Sequence, residues 1–162
     1  MKNSPWQPLI DRNLAEGKLR PEDLAREPRE LDLTAKDDGV IALWIFVETQ
    51  SEANNREHWV LKAKRAAIQR REAHEAMNAW FLGKPGRRVK YPCSITITRV
   101  SPRGLDDDNL ARSAKAIRDG LADSLRIDDR SPSVKWLYEQ KRDGKLKAVQ
   151  VRIEERNASG LI

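Results

Sequence analysis

The chain has 162 residues, a net charge of +6, a pI near 9.6 and a single cysteine. That length suits one domain with a peripheral appendage, and one cysteine excludes an intrachain disulfide framework. No run approaches the roughly 18 apolar residues of a bilayer span, and Met1–Ile10 lacks the basic-then-apolar order of a secretory leader, so the expectation is a cytoplasmic protein with no membrane association.

Residues 1–38 read as an N-terminal arm, broken by Pro5, Pro8, Pro21 and Pro28 and without a sustained apolar period; residues 39–162 read as the functional domain. Gly39 to Gln50 predicts a strand. Its nearly continuous apolar run, Val40 to Val47, suggests cover on both faces and a central position. Ser51 to Asn55 ends that strand. A long helix is predicted over Arg56 to Leu82, with Trp59, Ala63, Ala66, Ala67, Ala73, Met77 and Trp80 as its packing stripe, and Gly83 and Pro85 as its stop. Arg87 to Val100 predicts a second strand, in which Cys93 reads as a buried structural thiol.

Leu105 to Leu125 contains a second helix. At 100° per residue, Leu110, Ala114, Ile117, Leu121 and Leu125 share an arc of roughly 80°. Asp108, Arg112, Lys115 and Asp119 cluster on the opposite face. Val134, Trp136 and Tyr138, then Val149, Val151 and Ile153, alternate in two further strands joined by a turn at Asp143-Gly144. The order is strand, helix, strand, helix, strand, strand. It predicts an α+β fold, a mixed sheet of about four strands packed by two main helices.

Charge is unevenly spread. Residues 53–103 carry 12 basic and 3 acidic side chains, whereas residues 104–129 carry 4 basic and 7 acidic. A basic body beside a compact acidic segment suits a polyanion-binding protein with a cation site. His58 and His74 fit no zinc-ligand spacing, so any metal would be held by oxygen, favouring a hard ion such as Mg²⁺. The acidic segment is Leu105-Asp106-Asp107-Asp108-Asn109-Leu110, at a strand–helix junction, with Asp128-Asp129 following the helix. Adjacent carboxylates repel, and either a helix N-terminus or a divalent cation compensates them. Spacing alone leaves both readings open, the plain one being N-cap aspartates and a Lys115–Asp119 i,i+4 ion pair.

These residues resemble the RusA family of Holliday junction resolvases. The likeness lies in Asp106-Asp107-Asp108-Asn109, then Lys115, Asp119 and Asp128-Asp129, with Asn54-Asn55-Arg56 similar to the family's early asparagine-containing turn. It extends over about residues 39–154 and is specific over 105–130. The resemblance implies a Mg²⁺-dependent homodimer, with Mn²⁺ as a substitute ion, that nicks four-way or related branched DNA. It implies Asp106, Asp108 and Asp129 as metal ligands, with Asp128 as the alternative to Asp129, and Lys115 as the catalytic lysine. The family's lysine usually falls where this chain has Arg112, so Arg112 is the alternative. Arg56, Lys62, Arg65, Arg70, Arg87, Arg88 and Lys90 are the candidate DNA contacts. The competing expectation is a non-catalytic DNA-binding or phage replication-accessory protein with a vestigial metal site.

Overall fold

The computed structural model describes residues 11–12, 14–17, 39–51 and 56–156. Asn54 and Asn55, and most of the N-terminal arm, lie outside the described residues. The described elements are β1 (Ile41–Ile45), α1 (Trp59–Gly83), β2 (Cys93–Ser101), α2 (Asp107–Ser113), α3 (Lys115–Leu125), β3 (Val134–Arg142) and β4 (Ala148–Glu155). The four strands form one mixed sheet in the order β1-β4-β2-β3. β4 is antiparallel to both β1 and β2, and β2 is parallel to β3. The expected α+β architecture is therefore present. Among the described residues no helix is long and apolar enough to cross a membrane.

Alternation places one face of every strand against the helices. Leu43, Ile45, Cys93, Ile95, Ile97, Val149, Val151 and Ile153 pack there with Ala73, Ala76, Met77 and Trp80 of α1 and Ile117 and Leu121 of α3. Burial pushes the Cys93 thiol upward in pKa, as a structural cysteine in this core requires. α1 and α3 touch through backbone: a Cβ built on Gly120 would lie 2.2 Å from the carbonyl oxygen of Arg70. Asn78 and Ser124 bond across the same pair at 2.7 Å.

Three expectations change. β1 is an edge strand, not a central one, and it is shorter than the apolar run that announced it. The run is two-sided because Trp44 and Phe46 bury against Val100, Ala148, Leu14 and Leu146 on the face away from the helices. The α1 stripe is buried only from Gln69 onward. Trp59 is 72% exposed and Ala63, Ala66 and Ala67 are exposed, so the first turns of α1 add nothing to the core. The second predicted helix is two, divided at Ala114, whose N–H bonds to carbonyls three and two residues back. Its predicted buried face holds across that break for Leu110, Ala114, Ile117 and Leu121, which are buried, while Leu125 at the helix end is only partly so.

Candidate active site

Asp106 stands where it does because the connection after β2 is tied at several points. Arg99 is buried, with its Nε donating to Thr49 Oγ1 at 2.9 Å and its Nη2 to Thr49 O and Ser101 Oγ. Its Nη1 donates to the carbonyl of Arg103, bracing the loop from inside. Burial lowers the Arg99 pKa, and the charge of Glu48 opposes that shift. From outside, the Gln140 amide clasps Leu105 twice, accepting from its N–H at 2.8 Å and donating to its carbonyl at 2.7 Å. α2 then begins. Asp106 is its N-cap, accepting from Asn109 N at 3.0 Å, and Asp107 and Asp108 occupy the first turn. All three carboxylates are exposed at the helix's positive end.

The carboxylate–cation stripe lies on one outward face, as the helical spacing predicts. Asp108, Arg112 and Lys115 are exposed, and Lys115 Nζ pairs with Asp119 at 2.8 Å. The second acidic segment is engaged differently. Asp128 Oδ1 accepts from Arg130 N in its own turn at 2.9 Å. Asp129 accepts from Arg118 Nη2 at 2.8 Å through its carboxylate and at 3.0 Å through its carbonyl. Trp136 Nε1 donates to that carbonyl, Arg118 also reaches Tyr138 Oη, and its guanidinium lies 5.4 Å from the Trp136 ring centroid. Burial pulls the Arg118 pKa down, but the Tyr138 hydrogen bond and the nearby negative charge outweigh it, leaving the net shift upward.

Residues 106–108 therefore leave the end of β2, whereas 128–129 lead into the start of β3. In a parallel pair these connections emerge at opposite ends. Among the described residues no three acidic, histidine or cysteine side chains gather closely enough to hold a metal ion. Asp106 and Asp108 have the chemistry of a hard-ion seat, exposed oxygen donors one turn from cations. Asp129 does not complete that seat in this arrangement.

The candidate DNA contacts divide by position along α1, whose 25 residues extend about 36 Å. Arg56, Lys62 and Arg65 belong to its start, and Arg87, Arg88 and Lys90 follow its end. Arg87, Arg88 and Lys90 line a recess with Trp80, Ile153 and Glu155. Arg65 pairs with Glu57 at 2.7 Å. Arg70 grips Asp123 with two bonds of 2.6 and 3.0 Å. That hydrogen bond raises the Arg70 pKa and lowers that of Asp123. Sequence reasoning missed Arg99, Arg118 and Gln140, which organise the acidic segments. A buried arginine closing a strand was the one signal available, in the charged Arg99 within the apolar run of β2.

Compared with protein-family models the chain matches none, and no curated protein matches it in sequence.

Proposed function

We propose that this chain is a Mg²⁺-dependent endonuclease acting on four-way or related branched DNA, as its resemblance to the RusA family implies. The observation that carries the reading is the placement of Asp108. Its carboxylate is exposed in the first turn of α2, on the helix face that continues through Arg112 and Lys115. Asp106 and Asp108 would hold the ion. Asp129, before the opposite end of the β2–β3 pair and bonded to Arg118, is not counted with them. A bound Mg²⁺ would activate water and offset charge on a phosphodiester, and Mn²⁺ would serve in its place. Lys115, or Arg112 one turn earlier, would bind the phosphate. Lys115 first has to leave Asp119, an exposed pair that costs little to open. The homodimer and the sequence of events at a junction belong to the same proposal.

A second reading is favoured by one observation, the commitment of Asp129 to Arg118. It is a DNA-binding or phage replication-accessory protein whose acidic set no longer gathers a metal. One experiment separates the two. Purified protein is incubated with labelled four-way junction, flap and linear duplex, with Mg²⁺ and with EDTA. The nuclease reading expects paired nicks in branched DNA that vanish with EDTA and fall by at least about 100-fold in Asp108→Asn. Salt-sensitive binding with no cleavage in Mg²⁺ or Mn²⁺ would leave the second reading standing.

A further inference from the structure

The first turns of α1 face the α2–α3 junction across a groove of about 490 Å³. Ala63, Ala66 and Ala116 line it together with Gln69 and Ser113, and Lys62, Arg112 and Lys115 bring cations to it. Asp119, which also lines it, is paired with Lys115. The α1 wall also continues outward. Trp59 precedes Lys62, Ala63 and Ala66 by three, four and seven residues, the spacing of one helix face. It is 72% exposed, second only to Leu82 among the large hydrophobic side chains of the described residues. An exposed indole one turn before the groove's α1 residues, on the same helix face, needs an explanation beyond packing.

We propose that this groove and Trp59 bind one unpaired DNA strand, its phosphates on Lys62 and Arg112 and a base stacked on the Trp59 indole. The charges fit a phosphodiester backbone. The alanines fit the apolar faces of sugar and base. The volume falls within the roughly 300–1,000 Å³ of small-ligand sites, room for a nucleotide-sized unit. Stacking on an aromatic ring beside a basic track is how single strands are held without sequence preference. The proposal deepens the nuclease reading by placing an unpaired strand beside Asp108. It rests on that reading only for the identity of the nucleic acid.

The test is binding alone, in EDTA, so it stands or falls apart from cleavage. A fluorescein-labelled ten-nucleotide oligothymidine and a duplex are titrated into the full chain at several salt concentrations. Trp59→Ala is expected to weaken single-strand binding about tenfold, the loss of one stacked base. Lys62→Ala is expected to lower the slope of log affinity against log salt by about 0.7. Ala66→Leu keeps a good helix former on an exposed face but fills the groove. It should weaken the single strand several-fold while leaving the duplex unchanged. Circular dichroism and melting confirm that each variant folds. The proposal is overturned if Trp59→Ala and Ala66→Leu bind oligothymidine like the parent chain. Equal loss of duplex and single strand in Ala66→Leu, or equal displacement by polyglutamate, overturns it too.

Discussion

At the scale of single residues, the side chain that most constrains the candidate site is one that touches no acid. Arg99 is buried, and each of its bonding partners is neutral: the hydroxyl and carbonyl of Thr49, the hydroxyl of Ser101 and the carbonyl of Arg103. Burial lowers its pKa, yet the guanidinium remains far above any working pH. Its fork joins the chain after β1 to the loop before Asp106, a task that a single ammonium cannot perform. Arg99→Met keeps most of the volume but removes the guanidinium donors from the buried Thr49 and from the Arg103 carbonyl. We expect a lower urea midpoint, equivalent to about 1–3 kcal/mol, with the slope of the transition unchanged. Arg99→Lys should fall between the two. A parent-like midpoint for Arg99→Met would show that the bonds are incidental to the fold.

Among elements, the contact that fixes the groove and the α2–α3 unit is the crossing of α1 and α3. Glycine within a helix normally costs about 1 kcal/mol relative to alanine, so propensity alone would favour Gly120→Ala. Geometry reverses that sign. The added methyl would sit 2.2 Å from the Arg70 carbonyl oxygen and 3.0 Å from the Ala73 Cβ, and backbone cannot swing aside as a flexible side chain can. Gly120→Ala should therefore destabilise by about 1–3 kcal/mol, the usual range for overpacking, and lower the melting temperature. The neighbouring Arg70–Asp123 pair is a weaker brace. Arg70 lowers the Asp123 pKa, so its contribution is present above the ordinary carboxylate range and is lost as pH falls through the depressed value. Both side chains are about half exposed, so Asp123→Asn should cost no more than about 1 kcal/mol. A Gly120→Ala chain as stable as the parent would mean the helices separate without penalty.

For the whole molecule, sequence carried the parts that obey local rules. The buried arc of α2 and α3 was legible from Leu110, Ala114, Ile117 and Leu121, because helical spacing survives a break of one residue. Strand order was not legible: the apolar run at Val40–Val47 looks the same whether a second sheet face is covered by a layer of helices or by a few side chains. Nor could spacing show that Asp129 faces Arg118, since that depends on where the turn after α3 folds back. The N-terminal segment shows the same limit. Leu14 packs with Trp44 and Phe46 on one side of the sheet, while Arg12 bonds to Glu72 and Glu75 of α1 on the other, so the segment straddles the β1 edge. That cover blunts an otherwise unpaired strand. Glu72 is almost fully buried, with its Oε2 2.6 Å from Arg12 Nη2 and its other oxygen 3.4 Å from Arg71. Arg12→Ala removes a cation 2.6 Å from a buried carboxylate, which should cost about 1–3 kcal/mol. Glu72→Gln in the same background should then cost less than it does in the parent, because the Arg12 charge is already gone. A double-mutant cycle read by urea unfolding measures that coupling; a coupling energy indistinguishable from zero would mean that Arg12 rests on α1 without anchoring the segment to it.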